Sequence, residues 1–473
     1  MGIGTTADSQ EIKILLCVIV ISPFLLTPWV HGDGIGHFGF LRSSVIDGDL
    51  DLTNEHAYLT THIEEDAGGV PGYLLAYSDH QPGFHAGYHT PEPDPVTGRV
   101  PSNWSVGPAV LWAPAYLVAH GAVRLANVFG ADHRSDGYGG LYYLAVALTT
   151  LACGAVGLLF AYRLASRAAP SREAFWATLT IAVSSSLFYY LYLAPSHSHA
   201  LTPLTAGAFL IYWHKNRHSS RARIWFNWGL LAGMLFLVRW NDIVIAIPIF
   251  AVESVRLLRR PHPSDSGGNV RNWVGCMAAA LVGLFLVASI QLGVWQFLHG
   301  RPWVRHSVDT LQFNPTGLWG TLFSYRHGLF TWTPVTILSV VGLIRLFRRD
   351  AELAGVSLGV LVALVISNCT VYDWWAGSAF GMRRLVSATP IFVLGLAVFL
   401  DDVRLLWARR TALARRIMAP LVLVVFGVWN VLLVAQYSLG MISHVDAVPV
   451  WTIAANQPKV IIRLIDLLKG ILS

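Results

Sequence analysis

Long apolar runs recur along this chain of 473 residues, and few charged residues stand between them. Hydrophobic residues make up 54% of the sequence and charged residues only 13%, against roughly 25% charged in soluble domains. Because a transmembrane helix needs about 20 mostly apolar residues, the pattern predicts an all-α polytopic membrane protein and excludes a soluble enzyme. The formal charge of +6 does not indicate nucleic-acid binding, since the basic residues stand in short loops between apolar runs.

We predict one transmembrane domain over residues 1–473, crossed about eleven times. The approximate spans are 14–31, 140–162, 174–193, 198–214, 224–240, 242–258, 273–298, 328–346, 352–372, 384–400 and 417–442. With a cytoplasmic N-terminus, the inner segments hold 20 of the 33 Lys and Arg residues, as the positive-inside rule requires. We therefore expect an integral protein of a bacterial inner membrane, with the first run as an uncleaved anchor.

Three long segments are then predicted on the outer face: a first outer loop (32–139), a middle outer loop (299–327) and a C-terminal tail (443–473). The first outer loop contains 13 of the 27 acidic residues. Its apolar run Gly107–Phe129 would invert every later loop if it crossed the membrane, so we interpret it as an interfacial helix. Lys459–Leu472 has an i, i+3, i+4 apolar pattern and is predicted to be a second one.

A row of carboxylates directly follows the first apolar run. Asp33 lies about one helical turn beyond it, where partial desolvation near the membrane suits a general base; the alternative is that Asp33 caps the next helix. The acids of "DGDLDLTNE" include Asp49, Asp51 and Glu55. Their alternate spacing suits either a solvated acidic turn or a divalent-cation site near Asp49 or Asp51. No cofactor is otherwise required.

Histidines are also dense in the first outer loop, although their spacing matches no standard zinc pattern. They include His37, His56, His62, His80, His85 and His89. The four cysteines, Cys17, Cys153, Cys276 and Cys369, lie in apolar runs without a paired spacing, so we interpret them as small hydrophobic residues.

Further polar residues occur where the chain enters or leaves the outer interface. In "PSHSHA", His197 and His199 are candidates for phosphate or metal contact or for interfacial packing. Arg326, His327, Arg383 and Arg384 stand at outer span ends, where the positive-inside rule disfavours basic residues. Trp374 and Trp375 suit either a membrane-interface belt or a sugar-stacking surface, and Arg239 and Asp242 suit a local ion pair.

Together these residues indicate an anionic-lipid site at the outer interface. Arginine side chains bind phosphate oxygens through two parallel hydrogen bonds, and a lipid-linked phosphate would arrive at this level from the bilayer. A carboxylate facing it would deprotonate an acceptor hydroxyl, as in a transferase with a lipid-phosphate leaving group.

The order of these segments resembles the GT-C glycosyltransferases, a superfamily that includes protein O-mannosyltransferases and the lipid A aminoarabinose transferase. Asp33 takes the first position of the Asp-Glu-x-x-Tyr motif of the aminoarabinose-transferase type, with Gly34 and His37 in place of Glu and Tyr. Gly48-Asp49 corresponds to the Gly-Asp that follows. "NWSVGPAVLWAPAYLVAHGAVRLANVFG", "SYRHGLFTWTP" and "WWAGSAFGMRRLVSATP" look like further segments of the superfamily.

The resemblance implies an inverting glycosyltransferase that moves sugar from a polyprenyl-phosphate donor to a hydroxyl acceptor of the cell envelope. Asp33 would be the base with Asp49 in support, and Arg383, Arg384, Arg326 and His327 would hold the phosphate. His197, His199, Asp51, Glu55 and Trp374 are secondary candidates. The alternatives are a transporter or flippase, a non-catalytic assembly subunit for lipid-linked sugars, or a ligase that uses pyrophosphate-linked donors.

Overall fold

The protein is helical throughout the part that the structure, a computed structural model, describes: residues 9–61, 92–259, 267–303, 315–407 and 412–472. The α-helices in this part are α1 Ser9–Leu25, α2 Asp33–Arg42, α3 Thr53–Thr61, α4 Gly107–Val128, α5 Gly140–Ala165, α6 Ser171–Ser184, α7 Ser186–Tyr192, α8 Thr202–Asn216, α9 Ala222–Val238, α10 Ala246–Leu258, α11 Gly267–His299, α12 Pro315–Phe323, α13 Leu329–Trp332, α14 Val335–Leu346, α15 Ala351–Cys369, α16 Thr389–Trp407, α17 Ala412–Ser438 and α18 Val450–Leu472.

Among the described residues, six helices are long and apolar enough to cross a membrane, by length and composition: α4, α5, α11, α15, α16 and α17. The pair α6 and α7 would make a seventh, although it bends by 71°. Each predicted span corresponds to a helix or to a helix with an adjoining turn, but the count of eleven is not confirmed. Helix α4 is long and apolar enough to cross a membrane, so its interfacial position stays a prediction.

Several predicted spans are shorter than expected because one end of each is not α-helical. Three short 3₁₀ segments, Ser198–Leu201, Trp240–Ile245 and Arg383–Ala388, adjoin helices that the hydropathy pattern had extended across them. Irregular backbone at membrane depth is tolerated where it lines a cavity, because its polar groups need partners. These three segments lie side by side and line one cleft.

The core lies around α6 and α16, whose surfaces are buried nearly all round. In α16, the ten residues from Thr389 to Val398 are all buried. The outer helices instead expose apolar side chains, such as Phe285 of α11 at 64% and Val424 of α17 at 57%. A buried centre inside a ring of exposed apolar residues is the distribution expected for a bundle in lipid.

Glycines allow the closest helix pairs to form. In the α14–α16 pair, a Cβ atom on Gly342 would lie 1.8 Å from the carbonyl oxygen of Gly395. In the α9–α11 pair, a Cβ on Gly229 would lie 1.9 Å from the carbonyl oxygen of Ala280. Small residues drive helix association in membranes by letting backbones approach, so these contacts set the helix spacing.

We therefore expect Gly342→Val to destabilise the protein by at least the ~1–3 kcal/mol typical of overpacking, because the new atoms would meet backbone rather than a movable side chain. The measurement is the thermal midpoint of detergent-purified protein. Gly355→Val in α15 is the matched control, since a Cβ there meets nothing within 4 Å. Equal midpoints for the two variants would contradict this packing.

Ion pairs hold the helix ends at the face opposite the cleft. Arg345 at the end of α14 lies 2.7 Å from Asp402, and Arg349 lies 2.7 Å from Asp401, both near the end of α16. Arg217 after α8 lies 2.7 Å from Asp350 before α15. The basic loops that we predict to be cytoplasmic therefore share one end of the bundle with their acidic partners.

The C-terminal helix α18 is longer than the predicted Lys459–Leu472 segment, because it begins at Val450. It packs on α17, where Gln436 Nε2 donates to the carbonyl of Ile453 at 3.1 Å. Its Trp451, Ile461 and Ile462 are 53 to 65% exposed. This amphipathic character agrees with an interfacial helix, whose place in the membrane stays a prediction.

Candidate active site

Asp33 is the first residue of α2, and the first turn of that helix is packed closely against two other segments. Its negative charge suits the positive end of a helix dipole. A Cβ on Gly34 would lie 2.2 Å from Ser196 Oγ, and one on Gly36 would lie 1.6 Å from the Trp104 ring. A glutamate at position 34 would not fit without a shift, so the acidic side chain of the related motif has no counterpart beside Asp33.

The carboxylate of Asp33 faces a guanidinium and an imidazole. Its Oδ2 atom lies 2.7 Å from Arg383 NH1 and 4.0 Å from His199 Nε2. Arg383 opens the 3₁₀ segment before α16, and His199 belongs to the one before α8. The structure thus brings together three of the residues that the sequence analysis singled out, Asp33, His199 and Arg383.

Two further arginines complete a row of three acid–base pairs. Arg384 NH2 reaches both oxygens of Asp373, at 2.8 and 2.9 Å, and its NH1 donates to Asn368 Oδ1 at 3.2 Å. Arg239 NH1 lies 3.2 Å from Asp242 and donates to the carbonyl of Arg384 at 2.9 Å. Each cleft arginine thus faces one carboxylate, and the three pairs balance in charge.

The opposite wall of the cleft is polar and aromatic rather than charged. It is formed by Asn103, Trp104, Ser105, Trp240 and Asn241, and the cleft measures about 180 Å³. Trp240 N donates to Ser105 Oγ at 3.3 Å, which joins the two segments of this wall. Within the described part of the chain, the buried Asn241 Oδ1 and His199 Nδ1 have no hydrogen-bond partner.

His37 is a neutral member of the same cleft. Its Nδ1 donates to the carbonyl of Ser105 at 2.8 Å, and burial lowers the pKa of its imidazole to about 4. An uncharged ring with one N–H committed to a carbonyl leaves Nε2 as an acceptor. His197 lies deeper, in ring contact with Tyr190 and His31, so the packing interpretation describes its surroundings.

The remaining acids of the opening segment do not line the cleft. Asp49 is exposed and accepts from Ser43 Oγ at 2.7 Å, while Asp51 caps α3 by accepting from Thr53 N at 3.1 Å. Glu55 is buried against Arg42 at 2.6 Å. Burial raises the pKa of Glu55 to about 7. These three residues shape the turn between α2 and α3.

The other candidates also lie outside the cleft lining. Arg326 stacks on the Trp375 ring at 3.8 Å and donates to the carbonyl of Val445. His327 is buried, and its Nδ1 donates to the carbonyl of Trp375 at 2.9 Å. Trp374 packs against Gly320 of α12. These residues support the segment before Arg383.

A metal centre is not apparent in the described ranges, where no group of three or more His, Cys, Asp or Glu side chains is arranged to hold an ion. His62, His80, His85 and His89 lie outside these ranges. His56 is buried in α3.

Sequence reasoning missed several cleft residues because each had an ordinary local explanation. Asp373 was hidden inside the aromatic run "YDWW", and Arg239 was assigned only to its pair with Asp242. Asn103 and Ser105 were noticed only as part of the longer segment that begins "NWSVG", and Trp240 only as part of a span. The available signal was a polar break at the outer end of an apolar run, as in "RWND".

An open apolar groove adjoins the cleft. It measures about 720 Å³ and is lined by Phe236, Ile243, Leu281, Val282, Leu284, Phe285, Leu286, Ala288 and Leu292. Phe236 lies in the last turn of α9, just before Arg239, and Ile243 follows Trp240 in the 3₁₀ segment. One short stretch of chain therefore contributes to both the charged cleft and the apolar groove.

Comparison with known proteins gives no matching family model and no matching curated protein. Among solved structures, the chain is similar to the oligosaccharyltransferase AglB of Archaeoglobus fulgidus in complex with an inhibitory peptide and a dolichol-phosphate. The identity is 11% and the TM-score 0.46, over 93% of this chain and 60% of that one. The apo form of the A. fulgidus oligosaccharyltransferase matches at 13% identity and a TM-score of 0.44, over 94% and 60%.

ArnT from Cupriavidus metallidurans, bound to undecaprenyl phosphate, is similar at 14% identity and a TM-score of 0.44, over 96% of this chain and 76% of that one. The chain spans less than two thirds of the length of the archaeal oligosaccharyltransferase.

Proposed function

We propose that the protein is an inverting glycosyltransferase that moves a sugar from a polyprenyl-phosphate donor to a hydroxyl acceptor. The observation that carries the proposal is the convergence of Asp33 with Arg239, Arg383 and Arg384 in one cleft beside an apolar groove. The carboxylate would be the base of this reaction, and the guanidinium groups would bind the phosphate. The adjoining apolar groove would bind the lipid.

The lipid would lie in the groove and its phosphate in the cleft. The groove is almost wholly apolar, as an isoprenoid chain requires, and it runs up to Arg239 through the end of α9. Guanidinium groups bind phosphate oxygens with charge-assisted hydrogen bonds. Arg383 and Arg239 are the first candidates, because each contacts its carboxylate through one oxygen, whereas Arg384 is held by both oxygens of Asp373. The sugar would then face Trp104, Trp240 and Asn241.

The reaction would be a single displacement. Asp33 accepts the proton of the acceptor hydroxyl while the hydroxyl oxygen bonds to the anomeric carbon of the sugar. The bond between that carbon and the phosphate oxygen breaks, and its electron pair leaves with polyprenyl phosphate. Arginine N–H groups stabilise the charge that grows on the phosphate. Attack opposite the leaving group inverts the anomeric centre, as in inverting glycoside hydrolysis.

The experiment that tests the proposal follows the lipid product. Purified protein in liposomes receives polyprenyl-phosphate sugars with labelled lipid, together with a cell-envelope extract as acceptor, and free polyprenyl phosphate is measured. Protein-dependent release supports a transferase. A parallel reaction supplies pyrophosphate-linked donors, and release of polyprenyl pyrophosphate from those donors alone would favour a ligase. Movement of intact donor between leaflets without release would favour a transporter. Binding without release or movement would favour an assembly subunit. Addition and removal of a divalent cation tests metal dependence in the same assay.

A further inference from the structure

The proposed base and one of the proposed phosphate ligands form an ion pair with each other. Asp33, the proposed base, lies 2.7 Å from Arg383, a proposed phosphate ligand. Both side chains are largely buried, at 14% and 13% exposed. Arg383 therefore occupies Oδ2, one of the two carboxylate oxygens that an acceptor hydroxyl could approach. As the site stands, the proposed base is engaged by a protein side chain rather than by an acceptor.

The three arginine pairs of the cleft differ in how firmly they are held. Arg384 contacts both oxygens of Asp373, its backbone carbonyl and Asn368. Arg239 is fixed by the carbonyl of Arg384 and by Asp242, whose carboxylate is only 1% exposed and also accepts from a serine hydroxyl. Arg383 contacts one oxygen of Asp33 and also shares a side-chain hydrogen bond with Tyr190. Asp373 is held through both of its oxygens, and Asp242 also accepts from a serine hydroxyl, so Asp33 is the carboxylate that an incoming anion displaces most easily.

Charge balance makes such an exchange necessary for phosphate to bind. In the described part of the cleft, Asp33, Asp373 and Asp242 already offset the three arginines. A phosphate that entered without displacing a carboxylate would add negative charge next to Asp33 in a site that is largely removed from water. Phosphate oxygens form the same two-pronged hydrogen bonds to guanidinium as carboxylates do, so one anion replaces the other.

We propose that the donor phosphate takes Arg383 from Asp33, so that binding of the donor itself frees the base. This inference rests on the proposed function and adds an order to it: the donor binds first, and only then is Asp33 able to accept the acceptor's proton. His199, whose Nε2 lies 4.0 Å from Asp33 Oδ2, stays beside the freed carboxylate and holds it in its orientation. Without donor, the ion pair holds the site inactive.

The test is a double-mutant cycle on binding of polyprenyl phosphate, which carries no sugar and needs no acceptor. Affinity is measured for purified wild type, Asp33→Asn, Arg383→Gln and the double variant. If Asp33 competes for Arg383, Asp33→Asn binds the lipid about tenfold more tightly than wild type, the size of an ordinary side-chain coupling. In the Arg383→Gln background, the same substitution gains less than about twofold, since the contested partner is gone.

Three other outcomes would overturn the inference. An equal gain in both backgrounds would mean plain repulsion between Asp33 and phosphate, and no gain in either would mean no competition. Absence of binding by all four proteins would contradict the polyprenyl-phosphate donor itself, so failure of the proposed function is distinguishable from failure of the order.

Thermal midpoints report folding, and Arg383→Met replaces Arg383→Gln if the latter does not fold. Asp132→Asn, at an exposed acid of the first outer loop, is the control and is expected to match wild type.

Discussion

Asp33→Asn is expected to reduce release of polyprenyl phosphate by about 10²–10⁴-fold, the usual contribution of a general base. Asparagine has the shape of aspartate and still accepts a hydrogen bond from Arg383, so the helix start and the cleft should be retained. Its amide cannot take the acceptor's proton. The measurement is the initial rate of lipid-phosphate release in liposomes at saturating donor, with the thermal midpoint as a check on folding.

The control for this substitution is Asp132→Asn, which neutralises an exposed acid of the same outer loop and is expected to keep the wild-type rate. Asp49→Asn, compared with Asp33→Asn, shows which of the two acids of the related motif is the base. If Asp49→Asn lost the activity while Asp33→Asn kept it, the base would have to be Asp49, and the contact between Asp33 and Arg383 would be structural.

Arg383→Gln is expected to lower the rate by about 10²–10³-fold, comparable with the loss of one group that stabilises charge in a transition state. The leaving phosphate gains negative charge as the bond to sugar breaks, and glutamine cannot offset it. Arg383→Lys should recover only part of the rate, because an ammonium keeps the charge but loses the planar pair of donors. Initial rates at several donor concentrations separate a change in kcat from one in KM.

Arg301→Gln is the matched control, since Arg301 is an exposed arginine of the middle outer loop. An equal loss from Arg301→Gln would indicate a general effect of outer-face charge rather than a phosphate contact. Arg384→Gln provides a contrast of another kind. It removes the bonds to Asp373 and Asn368 that tie the end of α15 to α16, so it should lower the thermal midpoint as well as the rate.

Much of the helical arrangement was predictable because hydropathy is a local property. Runs of apolar residues located helices such as α5, α11 and α17 within a few residues, and the alternation of basic loops agrees with the ion pairs at one end of the bundle. The lengths of the helices were harder to predict from the sequence. A stretch such as "RWNDIVIAIPIF" is apolar enough to extend a helix on paper, but a 3₁₀ segment from Trp240 to Ile245 interrupts it.

The candidate site was partly predictable, for a related reason. Asp33 and Arg383 stood out because charged residues are rare at the outer ends of apolar runs. Asp373 and Arg239 did not, since a charge beside aromatic residues or beside an opposite charge has an ordinary local explanation. Asp49, Arg326 and His327 have the same local signature as Arg383, yet they lie outside the cleft lining, because their side chains are committed to a turn, an aromatic ring and a backbone carbonyl.

The sequence by itself determined that this is a helical membrane protein with polar residues clustered at the ends of its apolar runs, because the burial of apolar side chains follows from residue type. The tertiary structure decided which of those residues meet. Each of Asp33, His199 and Arg383 is more than 160 residues from the other two along the chain. Their contact depends on glycine-sized helix spacing and on three breaks in helical backbone. Pairing across such separations depends on packing geometry, which no local pattern encodes.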